Sequence, residues 1–359
     1  MTTFSPERLQ RARQRNKLSA KELANATGQS PAMLSRIERG TREPSDEEVN
    51  LFSVTLGFDQ EFFYLPAGEN IKTDAASFRS LARMTARERD AALAAGELGF
   101  DLMDYVHAHY NLPAPNLPQD ANATEPALAA RELRSYWGLG EKPIGHMIRL
   151  LEHQGIRVFS LAESGEAVDA FSLWRQDEPY IFLNTMKTAE HQRFDAAHEL
   201  GHLVLHRHAG TESRDTKQAE AEANAFASAF LMPRADVIAK LPIARSLEQL
   251  MHHKKRWGVS LAALAYRLHQ IDVISEWQKR GFFIEIGKRG FKRAEPLGIE
   301  WERSTVWDQI MQDLWDRKLT VEALANSLHL PAIEIQALTF RTTPSKRFTA
   351  TSMNKPRLL

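Results

Sequence analysis

The run Phe194–His206, FDAAHELGHLVLH, places His198 and His202 four residues apart with Glu199 beside the first. On an α-helix that spacing gives a shared face, with residues i and i+4 projecting from the same side about one turn apart. Two imidazoles so held can converge on one Zn²⁺, which takes nitrogen donors at about 2.0–2.1 Å. Glu199 is rotated about 100° from His198, to the edge of that face. There it can take a proton from an attacking water and later hand it to a leaving amine. A catalytic zinc uses three protein donors and keeps a fourth position open, so a further ligand is required. His206, one more turn along, is one candidate. Another lies on KQAEAEANAFASAFLMP (217–233), which reads as a second helix and offers Glu220 and Glu222, with Asn224 four residues beyond Glu220. Its alanines allow two helices to approach closely, and Leu203, Val204, Phe226, Phe230 and Leu231 can shield the ion from bulk water.

Together, FDAAHELGHLVLH and EAEANAFASAFLMP resemble the ImmA/IrrE-type metallopeptidases, zinc-dependent proteins of bacteria and their mobile elements, over about residues 125–240. The resemblance implies a gluzincin-like site with His198 and His202 as ligands, Glu199 as general base and Glu220 as third ligand. Glu220 is preferred to Glu222 because it stands three residues before Ala223-Asn224, as in the family's pattern. Asn224 and His206 then support the ligands from outside. Mn²⁺ or Fe²⁺ suits a similar nitrogen–oxygen donor set. An electrophilic helper for the developing oxyanion is also expected, with His206, Tyr180 and Tyr266 as candidates.

The N-terminus carries a different chemistry. Residues 1–45 hold nine Lys/Arg against four Asp/Glu, although the whole chain is balanced at 46 of each. A local positive excess suits an anionic partner. Ser5-Pro6, Ser19, Ser30-Pro31 and Ser45 each stand where a helix would start, and Gly28, Gly40 and Gly57 where one would stop. Leu9, Leu18, Leu23, Ala24, Leu34, Ile37, Val49 and Leu56 are spaced to close a small helical core. The segment LQRARQRNKLSAKELANATGQSPAMLSRIERGTREPSDEEVNLFSVTLG resembles the Cro/CI-type (XRE) helix-turn-helix family along nearly its whole length. That resemblance implies double-stranded operator DNA as a partner and binding as a homodimer, with the third helix in the major groove. Pro31, Ala32, Ser35 and Arg36 form the groove-facing set, Arg36 being able to read guanine through two hydrogen bonds. Gln29, Ser30, Lys17, Lys21, Arg39 and Arg42 are placed to hold phosphates. Arg11 and Arg15 fit either a solvated face or ion pairs, and Glu38 an internal partner.

The expected fold class is mainly α with a small β-sheet (α+β). GIRVFSL, VDAFSLWR and PYIFLN have strand character, while GFFIEIGKRGFKRAEP (281–296) is ambiguous between strand and loop. The expected organisation is a helix-turn-helix domain (1–66), a helical connector with a proline-rich linker (67–125), the metallopeptidase-like domain (126–280), a C-terminal helical region (281–340) and a basic flexible tail (341–359). LTVEALANSLHLPAIEIQAL (319–338) echoes LSAKELANATGQSPAMLSRI, so a second helix-turn-helix is conceivable. Residues 320–338 contain no Lys or Arg, which favours a packing or dimerisation role. With no cysteine, the chain has neither a thiolate metal site nor a cysteine nucleophile. No signal-peptide core or membrane span is visible, so a cytoplasmic protein is expected. Three functions remain open: a DNA-binding regulator whose peptidase domain cleaves a repressor, an antitoxin or itself on a signal; a non-proteolytic regulator of a toxin–antitoxin or phage-type operon whose metal domain is a sensor or structural body; and a general peptidase whose helix-turn-helix recruits protein substrates.

Overall fold

The computed structural model describes residues 3–72, 84–118, 125–161, 170–207, 216–291 and 294–341. Residues 342–359, most of the expected tail, lie outside this set, as do 73–83, 119–124 and 208–215.

Four short helices open the chain: α1 (Pro6–Arg15), α2 (Ala20–Ala26), α3 (Pro31–Glu38) and α4 (Asp46–Leu56). Each begins at a serine whose hydroxyl accepts a backbone N–H of the first turn, satisfying a donor the helix itself cannot. Leu9, Leu23, Ala24, Leu34, Ile37, Val49, Phe52 and Leu56 are buried between these helices. Leu18, expected in that core, is only partly buried and packs against it.

The long helix α5 (Ala86–His109) is more than a connector. On one side Arg8 and Arg11 of α1 form buried ion pairs with Asp101 and Glu97. On the other, Gly96 and Gly99 rest on aromatic rings of the sheet: a Cβ at Gly99 would stand 3.1 Å from the Phe182 ring, and one at Gly96 would stand 3.2 Å from Phe171. The sheet has three strands, β1 (Arg157–Leu161), β2 (Ala170–Arg175) and β3 (Glu178–Asn184), ordered β1-β3-β2 with β1 parallel and β2 antiparallel to β3. Side chains alternate across it, so Phe159, Phe171, Tyr180 and Phe182 stack towards α5 and Ser172, paired with Ile181, faces the other way.

That other face is covered by α8 (Ala189–Leu205). Helices α6 (Pro126–Tyr136), α7 (Met147–His153), α9 (Thr216–Leu231) and α10 (Arg234–Lys240) surround it. Then come α11 (Leu247–Trp257), α12 (Leu261–Gln270), α13 (Glu276–Lys288), α14 (Thr305–Asp316), α15 (Val321–Leu328) and α16 (Ala332–Leu338). Residues 281–288, ambiguous in sequence, are the body of α13. Ser275 and Gln278 close a capping box at its start, and no strand lies alongside to pair with it among the described residues. The C-terminal echo of the helix-turn-helix packs within the chain: α16 lies against α5 and β1, and Glu334 pairs with Arg15 at 2.7 Å. Arg11 and Arg15 are therefore both ion-paired.

Two helices cap one another across this core. Glu302, before α14, accepts N–H bonds from Met147 and Ile148 at the start of α7 (2.6 and 3.0 Å) and pairs with buried Arg193 of α8. Glu152, near the end of α7, accepts from the Ser304 hydroxyl and from the Thr305 and Val306 amides that open α14. Burial pushes the Glu152 carboxyl up from 4.5 to about 7, against the pull of those hydrogen bonds. Because the folded state holds this proton more tightly than the unfolded chain, its stabilising contribution is complete below about pH 4.5 and is lost as pH rises through about 7. Urea denaturation at pH 5 and pH 8 should therefore show wild type losing more stability between the two than Glu152→Gln, which carries no titrating proton.

Candidate metal centre and DNA-reading face

Helix α8 starts at Thr188, whose hydroxyl accepts from the His191 amide, and runs without a break to a C-cap at His206. It meets α9 along the run that holds His202 and Glu220. The contact is tight because of Gly201: a Cβ there would lie 3.3 Å from the Ala223 backbone and 3.1 Å from the Phe226 ring. A small residue on each helix brings the two backbones together and carries Glu220 to the histidines.

His198, His202 and Glu220 converge, with one potential ligand atom from each lying within 4.8 Å of the others. The His198 and His202 Nε2 atoms are 3.1 Å apart, and they stand 3.3 and 3.2 Å from the Glu220 carboxylate oxygens. A tetrahedral ion with bonds of 2.0–2.1 Å separates its donors by roughly 3.3 Å, so this set could hold a metal. The outer nitrogens agree with that assignment. His198 Nδ1 faces Asn224 Oδ1 at 3.2 Å, and His202 Nδ1 faces His206 Nδ1 at 2.9 Å. His206 Nε2 in turn meets Glu222 at 3.0 Å. If each outer N–H is spent on these neighbours, both Nε2 lone pairs point at the shared space. Burial works against charging His198, yet Glu220, Glu199 and Asp195 raise its pKa. Burial likewise works against the Glu220 carboxylate, but the two histidines hold it down at about 2.

Glu222, the alternative third ligand, is taken up by His206. His206 itself presents its Nδ1 to His202 rather than to the three-donor cluster. Glu199 is buried, and its Oε2 accepts from the Ser172 hydroxyl at 2.6 Å. Ser172, on edge strand β2, was not singled out in sequence. A lone serine in a strand carries no signal until the sheet places it under α8. Two of the oxyanion candidates sit elsewhere. Tyr180 belongs to the opposite face of the sheet, where its hydroxyl donates to Glu178 at 3.1 Å. Tyr266 is exposed on α12 with Lys279 over its ring.

At the N-terminus, Pro31, Ala32 and Arg36 are exposed on α3, and Ser35 is half-buried. The Ser30 hydroxyl accepts from Met33 N–H as the helix cap. Gln29 presents an amide whose nitrogen and oxygen are both covered and have no hydrogen-bond partner among the described residues. Lys21 and Arg39 are exposed and Lys17 is half-buried. Arg42 is ion-paired with Glu48 at 2.9 Å, and Glu38 with Arg13 at 2.5 Å.

Comparison with known proteins agrees with both regions. Residues 151–269 match the model of the IrrE N-terminal-like domain of peptidase family M78, and residues 9–59 match a helix-turn-helix model. The first match begins later and ends later than the resemblance read from the motifs, at 151–269 against about 125–240. No curated protein matches the chain. The chain thus joins an XRE-type helix-turn-helix to an IrrE/ImmA-like peptidase domain. Among the described residues no helix is long and apolar enough to cross a membrane.

The tight helix contact generates a test. Gly201→Val should force α8 and α9 apart at Ala223, weaken zinc uptake at least about tenfold and cost about 1–3 kcal/mol of stability. Competition with a chromophoric chelator, alongside urea denaturation, would measure both; unchanged zinc affinity would show that the contact does not build the site.

Proposed function

We propose that the chain is a cytoplasmic DNA-binding transcriptional regulator whose central domain is a zinc-dependent endopeptidase acting on a repressor- or antitoxin-like protein, or on the chain itself, in response to a signal. The observation carrying this reading is the convergence of His198, His202 and Glu220 beside a buried Glu199, within the segment matched to the M78 family. His198, His202 and Glu220 would hold the ion, and Asn224 and His206 would fix the imidazole orientations. When bound, zinc supplies a Lewis acid that polarises the scissile carbonyl and makes nearby water more acidic. Glu199 takes the proton of the attacking water and returns it to the departing amine nitrogen. Ser172, donating to one Glu199 oxygen, is a positioning residue. His206, beside the cluster and hydrogen-bonded to Glu222, is the remaining oxyanion candidate. No thiol takes part, since the chain has no cysteine.

The helix-turn-helix would bring this domain to an operator. Arg36 and its neighbours on α3 read base edges, while Lys17, Lys21 and Arg39 contact phosphates; the Gln29 amide, being covered, is not placed to do so. Arg42, already paired with Glu48, keeps a weaker hold. A homodimer at two half-sites follows from the way such modules read DNA.

Three measurements test the proposal. Zinc-loaded wild type should cleave a cognate repressor, whereas zinc-loaded Glu199→Gln should retain the ion and lose cleavage by at least about a hundredfold. Equal behaviour of the two proteins would leave the sensor or structural reading of the metal domain. Mutation of His198, His202 or Glu220 to Ala should abolish stoichiometric zinc in elemental analysis. Operator binding should fall steeply with salt, and Arg36→Ala should cost about 1–3 kcal/mol and relax specificity at one position; a flat salt response would remove the DNA contact surface.

A further inference from the structure

A cavity of ≈ 530 Å³ lies among α6, α10, α12 and the C-terminal end of α9. Four arginines line it: Arg131, Arg134, Arg234 and Arg267. Arg267 is 6% exposed and Arg134 is 3% exposed, burial far beyond what an arginine normally reaches without an acidic partner. None of the four has a carboxylate within ion-pair distance among the described residues. Arg134 spends its guanidinium on the backbone carbonyls of Gly140, Phe230 and Lys142. Arg267 gives only its Nε, to the Met232 carbonyl at 2.9 Å. Its two terminal nitrogens have no hydrogen-bond partner among the described residues.

Part of this arrangement serves the helix. The Phe230 and Met232 carbonyls close the C-terminal end of α9, where cations are favoured. That role uses one nitrogen of Arg267 and leaves the other two to the cavity. Two carboxylates also line the space, Glu125 and Glu141. Glu125 is engaged as the cap of α6, accepting from the Ala127 and Leu128 amides. Four guanidiniums against two carboxylates leave two positive charges without a counterpart, and the remaining wall is largely apolar. The low-dielectric wall and the neighbouring charge of Arg234 depress the Arg267 pKa to about 10, the direction expected of a cation awaiting an anion.

We propose that this cavity binds a phosphate dianion, carried on a small molecule or as free inorganic phosphate. The planar fork of Arg267 matches two phosphate oxygens, Arg131 and Arg234 close over it from the rim, and the apolar wall takes the organic part of a monoester. The site is separate from the metal cluster. Ala229 in its wall lies nine residues along α9 from Glu220, roughly 13 Å at 1.5 Å per residue. The inference therefore stands whether or not the chain is a peptidase.

Isothermal titration of the full chain with inorganic phosphate and, separately, with AMP at constant ionic strength tests it. At least one should bind with one-to-one stoichiometry. Tighter AMP identifies an organic monoester and tighter inorganic phosphate the free ion. Arg267→Gln, and the rim double variant Arg131→Gln/Arg234→Gln, should each weaken binding about tenfold or more, as expected for the loss of charge-assisted hydrogen bonds. Arg280→Gln, an exposed charge on α13, should leave binding unchanged. Among the described residues the exposed side chains of Arg131 and Arg234 make no hydrogen bond or ion pair, so their double variant keeps the test valid if Arg267→Gln unfolds. Absence of binding by both probes, undiminished binding in the rim variant, or equal weakening by Arg280→Gln would overturn the proposal.

Discussion

The approach of α8 to α9 at Gly201 and Ala223 is the contact on which the convergence of His198, His202 and Glu220 depends. Two histidines on one helix define a line of donors but not a complete site. The third donor must come from another element, and its carboxylate has a short reach. With backbones this close, Glu220 arrives within 3.2–3.3 Å of both imidazoles from a helix that needs no distortion. One step along that helix, Glu222 meets His206 instead. A wider crossing would leave neither acid in range. The sheet beneath contributes the other half of the arrangement, because α8 packed on β2 puts Glu199 over Ser172.

How much of this was legible depended on whether the information was local. The His198–His202 spacing, the alanine-rich partner helix and the serine caps of α1 to α4 are written in a few consecutive residues, and helices follow from them. The preference for Glu220 over Glu222 came from motif position alone, while the His206–Glu222 contact depends on how the two helices meet and is not written in any local run. Ser172 could not be found, because its relevance arises only from sheet register. Tyr180 and Tyr266 looked plausible as isolated tyrosines, yet strand alternation turns the first to the far side of the sheet. Residues 281–288 misled because GFFIEIG is as apolar and β-branched as a strand, while the capping box that decides for helix lies upstream at Ser275.

The charged interior was also hidden from sequence reading. Arg193 and Glu302, and Lys254 and Glu190, stand 109 and 64 positions apart in the chain, yet they meet in buried ion pairs. Such pairs stabilise little compared with apolar packing, but losing one partner is costly because the other charge stays buried. They fix which segment lies against which, and so hold the long 294–304 stretch against the helices that frame the metal cluster.

Helix α5 has a consequence of its own. Within two turns it grips α1 through Glu97 and Asp101 and sits glycine-first on the sheet through Gly96 and Gly99. The helix-turn-helix is therefore braced against the peptidase-like domain by a shared strut, where a slack tether would let each tumble alone. Because α1 also packs on α3, the orientation of α3 relative to the sheet is set through that one strut.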